Sequence, residues 1–169
     1  MISRYALGPY GWLMALCFAA WAAASALLFV ALSPSSGLDR VGQILLLVAA
    51  VGLAMAARFP MDPVGTPRRD VSFSGKMHGI AFLVGVPALV LAASILSFSH
   101  GRHGSHTAIP LLLTTAIWLS LIAMIAIGAI VGPDHGPNPQ VPWLFGWVNR
   151  LLMVAYSLWL IVVAWPIAY

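Results

Sequence analysis

Apolar residues run along this chain in five long blocks, with neither the strict alternation of a half-buried strand nor the one-sided stripe of a soluble helix. The blocks extend from Tyr10 to Leu32, Val41 to Ala57, Gly79 to Phe98, Ala108 to Val131 and Trp143 to Tyr169, and Gly, Pro or charged residues separate them. Crossing about 30 Å of hydrocarbon takes roughly 20 apolar residues at about 1.5 Å each, so every block predicts a membrane span. The second is short and needs Gln43 and Arg58 at its two interfaces. Lipid offers no partner to backbone N–H and C=O groups, and the alternating pattern of barrel strands does not occur, so all five spans are expected to be helices. The expected fold is an all-α polytopic membrane helix bundle with five transmembrane helices, a single domain over residues 1–169.

Composition agrees with this pattern. Of 169 residues, 62% are hydrophobic and 7% charged, whereas soluble domains carry about 25% charge. The chain has no glutamate, and its four aspartates face eight basic residues, so the pI near 9.9 reflects few acids. A nucleic-acid partner is not expected, because tracking phosphates needs clustered Lys and Arg and the cluster here is Arg68 with Arg69. The lone Cys17 lies in an apolar run and cannot form an internal disulfide. The first block is longer than the apolar core of a secretory signal and is expected to remain as a span. Tyr5, Tyr10, Trp12, Trp143, Trp147, Trp165 and Tyr169 stand where interfacial aromatic anchors are expected.

The charge is unevenly spread. "RFPMDPVGTPRRDVSFSGKMHG", Arg58 to Gly79, holds six of the twelve charged residues. With five spans, this loop shares a membrane face with Arg4, which sets Arg4, Arg58, Arg68, Arg69 and Lys76 against Arg40 and Arg102 on the other face. The excess predicts a multi-pass protein of the cell membrane with its N-terminus in the cytoplasm.

Positive charge explains neither Asp62 nor Arg150. Asp62 lies between Pro60 and Pro63, whose fixed φ angles hold a short extended turn directly after the second span. Beyond it, Ser74 is a candidate cap for the third helix and His78 falls in that helix's first turn, where a backbone hydrogen bond is the simpler expectation. Arg150 lies about 12 Å into a helix that starts at Pro142. A cation at such depth costs about 2.5–3.5 kcal/mol, so it either snorkels back or meets an anion: Asp62, Asp70, Asp134 or a lipid phosphate. An Asp62–Arg150 pair would tie the second span to the fifth, and Arg58, Asn149, Asp134 and His135 could complete a polar cluster. At the opposite face "HGRHGSH" sets His100, His103 and His106 within seven residues, a set that suits zinc or copper, although a solvated polar turn explains it more simply. The GxxxG spacings Gly75–Gly79 and Gly128–Gly132 are candidate helix-packing seams. No phosphate loop, HExxH or GxSxG motif occurs.

"ISRYALGPYGWLM", "FPMDP" followed by "GKMH" at the opening of a helix, and "GWVNRLLMVAYSLWL" with an arginine early in the last helix together resemble the prokaryotic membrane-protein family called domain of unknown function 998 (DUF998). The resemblance covers most of the chain. Its most specific parts are the FPMD stretch, Gly75 to His78 and Gly146 to Arg150. It implies that Asp62, His78 and Arg150 match the family's polar motif positions. It also implies a further hydrophobic helix ahead of the segment beginning at Ile2, so the five spans here are expected to leave an open groove that a partner can fill. It implies no activity and no cofactor.

The leading expectation is therefore a non-enzymatic bundle with a cytoplasmic-face polar cluster that is structural or binds lipid headgroups. Its expected partners are the lipid bilayer and, as an accessory subunit, a membrane protein or a second copy of the chain. The alternative is an intramembrane lipid-modifying hydrolase in which Asp62 and His78 do acid–base or metal-supported work while Arg150 holds the phosphate. A small transporter is a weaker third, because the spans carry few central ionisable groups and show no inverted repeat.

Overall fold

A computed structural model describes residues 8–63, 66–100, 108–130 and 140–168, a few helix-end residues by their backbone alone. Among the described residues five helices follow in chain order: α1 (Gly11–Ala31), α2 (Gly37–Arg58), α3 (Phe73–His100), α4 (Ala108–Ile130) and α5 (Gln140–Ala168), with a 3₁₀ turn at Arg68–Asp70 before α3. All five are long and apolar enough to cross a membrane. Each helix packs on its chain neighbour, and α1 meets α5, so the five close into a ring. Leu46 and Ala49 of α2, Leu89 and Val90 of α3, Ile117 of α4, and Tyr156 and Trp159 of α5 fill its core. Leucines, isoleucines and valines stay exposed around the outside, as lipid-facing surfaces require.

Three helices begin earlier than the apolar blocks, α5 by three residues at Gln140, and α2 and α3 because polar caps nucleate them. α2 starts a turn before Val41. Ser36 is its N-cap and accepts the Asp39 N–H at 3.1 Å, while the Ser35 backbone N–H and hydroxyl donate to Asp39 Oδ2 at 3.2 and 2.6 Å. Asp39 is thereby 6% exposed, and among the described residues its Oδ1 has no hydrogen-bond partner, Ser99 standing near without completing one. α3 starts nearly two turns before Gly79, because Ser72 rather than Ser74 caps it: the Ser72 hydroxyl accepts the Gly75 N–H at 3.0 Å.

The closest approach of helices lies at α2 and α3, and glycine permits it. A Cβ added to Gly52 would stand 2.7 Å from the Gly85 Cα, and one on Gly85 would stand 3.1 Å from the Gly52 Cα. The expected GxxxG seams are not the ones used. Added Cβ atoms on Gly79 and Gly128 meet nothing within 4 Å, Gly75 faces Asp62, and Gly132 lies outside the described residues. The functional pair is one glycine from each of two helices, a juxtaposition that spacing within one helix cannot report.

Elsewhere the helices are joined by indole–hydroxyl hydrogen bonds. Trp21 of α1 donates to Ser157 of α5, Trp118 of α4 to Ser94 of α3, and Trp159 of α5 to Ser97 of α3, each at 2.8 Å. Ser157 and Ser94 spend their own protons on the carbonyl four residues back, Met153 and Val90, so their oxygens are left to accept the indole N–H. Ser25 likewise donates to the Trp21 carbonyl at 2.7 Å, which makes Tyr156 Oη the donor in the buried 2.7 Å Ser25–Tyr156 contact. In a bilayer such bonds between helices are worth about 0.6 kcal/mol each on average. A shallow apolar groove of about 370 Å³ runs between α1 and α5, walled by Ala24, Leu27, Ala31 and Leu160 among others.

Candidate functional site

The corner between α2 and α3 builds the one place where the sequence-predicted residues converge. α2 stops at Arg58: the Phe59 N–H still bonds the Met55 carbonyl at 2.9 Å, but Pro60 has no N–H and holds Phe59 extended. The stop frees the carbonyls of Phe59 and Pro60. The first turn of α3 satisfies both, His78 Nδ1 donating to Phe59 at 2.9 Å and Ser74 Oγ to Pro60 at 2.8 Å. Because a carbonyl can only accept, Nδ1 carries the proton and Nε2 of the neutral ring presents a lone pair. The ring also meets Phe18 of α1 edge-on, centroids 6.4 Å apart.

Asp62 closes the corner from the other side. Its Oδ2 accepts the Ser72 backbone N–H at 2.9 Å and its Oδ1 the Ser72 hydroxyl at 2.8 Å, so the carboxylate grips the cap of α3 and sits at the positive end of that helix. Gly75 lies against it so closely that any Cβ there would overlap the carboxylate. Glycine at position 75 is thus required by the acid at position 62.

Asp62 and His78 wall a cavity of about 310 Å³ that opens at this end of the bundle, together with Met61, Thr66, Val71, Gly79, Phe82 and Asn149. His78, Phe82 and Asn149 are shared with a smaller apolar pocket of about 50 Å³ reaching inward to Leu53, Leu89, Leu152 and Met153. The outer space mixes polar and apolar side chains, and the inner one is apolar apart from His78 and Asn149. Asn149 of α5, whose Nδ2 also approaches Met124 Sδ at 3.8 Å, is the residue by which the fifth helix joins the site.

Of the other candidates, the described Arg150 and Arg58 do not line the cavity. The Arg150 guanidinium lies over the Trp147 ring, 5.2 Å from its centroid. Trp147 is one turn closer to the helix start, so the side chain runs back toward the membrane surface as a snorkelling residue does. Asp62 and Arg150 do not pair: the single ion pair among the described residues joins Arg69 and Asp70 at 3.6 Å, on the exposed surface where it contributes little. Asp62 is held in the Ser72 cap, and Arg150 lies over an indole. Arg58 lies over Phe59, 5.6 Å from the ring centroid, and does not line the cavity. Asp134, His135, His103 and His106 lie outside the described residues, as does the side chain of His100, so the outer histidines are not described as a site. Among the described residues no group of three His, Cys, Asp or Glu is placed to hold a metal ion.

Sequence reasoning missed Ser72, Asn149 as a wall of the cavity, and the buried Asp39. Ser72 was legible in principle, since Ser-x-x-Gly-Lys before an apolar block is a cap followed by a first turn. The space itself has no signal in one sequence.

A comparison with protein-family models matches residues 1–166 to the family described as "Protein of unknown function (DUF998)". No curated protein and no solved structure matches the chain.

Proposed function

Since the chain belongs to the DUF998 family, whose description states no activity, we propose that it is a non-enzymatic membrane bundle whose corner cavity binds the headgroup of a bilayer lipid. The observation that carries this reading is the cavity of about 310 Å³ at the end of a membrane-spanning bundle, where Asp62, Thr66, His78 and Asn149 stand among apolar residues beside a deeper apolar pocket. Its size is at the lower end of the range of small-ligand sites, about 300–1,000 Å³. Binding is favoured over turnover because Asp62 and His78 each already hold a structural hydrogen bond that fixes the corner. Arg58, Arg69 and Lys76, all in the segment from the end of α2 to the first turn of α3, support an orientation with this end, and the N-terminus, on the cytoplasmic side of the cell membrane. An accessory role beside another membrane protein follows the same reading, with the α1–α5 groove as the face to be covered.

Lipid retained by the purified protein tests the proposal. Native mass spectrometry from a mild detergent should show about one bound phospholipid, and Gly79→Leu, which adds a side chain where the cavity wall has room, should lose it. Unchanged lipid retention in that variant would remove the cavity from consideration. The hydrolase alternative draws on the His78 Nε2 lone pair at the cavity wall. It requires release of fatty acid or headgroup from vesicles that His78→Ala abolishes. Orientation is checked by labelling a cysteine at Gly65 in a Cys17→Ala background: reaction only in permeabilised cells fits, and reaction in intact cells reverses it.

A further inference from the structure

We infer, resting on the lipid-headgroup reading, that the corner cavity selects a headgroup with a primary ammonium, as in phosphoethanolamine, over a quaternary or uncharged one. Three side chains of the cavity wall offer acceptors, while the amide N–H of the fourth polar one, Asn149, approaches Met124 Sδ. Both Asp62 oxygens point their bonds to Ser72 and keep a second lone pair each, and among the described residues no cation lies within 4.0 Å of this carboxylate. His78 commits its Nδ1 proton to the Phe59 carbonyl, and in the neutral ring Nε2 is a lone pair with no hydrogen-bond partner among the described residues. Thr66 spends its hydroxyl proton on the Pro63 carbonyl at 2.7 Å, which leaves its oxygen as an acceptor too.

Three side chains around one space therefore present lone pairs with their protons turned away. A phosphate oxygen finds no complement in them and is repelled by the carboxylate. An –NH₃⁺ group supplies three donors and the missing positive charge. A trimethylammonium has the charge but no N–H to give Nε2 or Asp62, and a glycerol headgroup has donors without the charge. Lys76 and Arg69 do not line the cavity, and Arg69 pairs with Asp70 at 3.6 Å, so neither supplies a positive charge inside it.

The test is competition among lipids of matched dioleoyl chains in nanodiscs, measured by native mass spectrometry of the full chain. Phosphatidylethanolamine is expected to bind about tenfold tighter than phosphatidylcholine or phosphatidylglycerol, the ratio one charge-assisted hydrogen bond supports. Asp62→Asn should erase that preference. Because it also touches the α3 cap, Gly79→Leu serves as the second variant and should lower binding of all three lipids together. Equal binding of phosphatidylcholine, or tighter binding of phosphatidylglycerol, overturns the ammonium inference while leaving a lipid site in place. No lipid bound above background overturns both. Free phosphoethanolamine that competes as well as the lipid supports the ammonium chemistry and moves its source from the bilayer to a soluble amine.

Discussion

Asp39 and Asp62 do similar local work at opposite ends of the bundle and end in opposite surroundings. Each is held by a serine at the start of a helix, Asp39 by Ser35 beside the Ser36 cap of α2 and Asp62 by the Ser72 cap of α3. Asp39 is sealed between α2 and the end of α3, whereas Asp62 walls a cavity. Capping chemistry alone therefore does not mark a functional acid. What separates the two is the space beside the carboxylate. At the Asp62 end two prolines bound the turn that carries the acid, Gly75 makes way for the carboxylate, and Gly79 leaves room that a side chain would fill.

The sharpest way to break this comparison is at the sealed acid. Asp39→Ala removes two hydrogen bonds to a buried carboxylate and unpairs the Ser35 N–H. It should cost about 2–3 kcal/mol of stability, read as a lower thermal midpoint in detergent, with lipid retention by the surviving fold unchanged. Lost lipid retention would mean that the ends are not independent. Gly75→Ala comes next: the new methyl group displaces the Asp62 carboxylate from Ser72. A loss of about 1–2 kcal/mol is expected together with loss of bound lipid, and a variant that keeps both properties would show that Asp62 is not held as described. Asp62→Asn keeps the shape and removes the charge. At this partly exposed corner it should cost about 0.5–1 kcal/mol while the effect on headgroup preference is larger. The smallest expected number is a coupling energy. Asp62→Asn and Arg150→Gln should add within about 0.5 kcal/mol in a double-mutant cycle, because the two side chains do not pair. Strong non-additivity would restore the ion pair that the sequence invited.

That ion pair shows where sequence reasoning stops. The five spans were legible because lipid imposes a length and a composition that residues report one block at a time. Asp62 and His78 were legible because Pro60, Pro63 and the start of the next apolar block fix where they lie along the chain, and a corner between two consecutive helices brings them together. Arg150 was legible as a problem, and snorkelling was one of the two solutions it offered, but the indole it lies over was not. An indole one turn away is a local answer that competes with a distant carboxylate, and only coordinates decide between them. The Gly52–Gly85 seam and the cavity walled by Asn149 depend on which helices touch, and no residue pattern within one helix encodes that.

The hydrogen bonds from Trp21, Trp118 and Trp159 to serines have a spectroscopic consequence. Three of the seven tryptophans report on three separate helix seams, α1–α5, α3–α4 and α3–α5, through a single N–H whose partner is known. Replacing Ser157, Ser94 or Ser97 by alanine frees one indole at a time, so ultraviolet resonance Raman bands of the indole N–H can follow the parting of each seam without an attached dye. A chain of this kind carries its own gauge of helix separation, ready to register any ligand or partner that opens or tightens the ring.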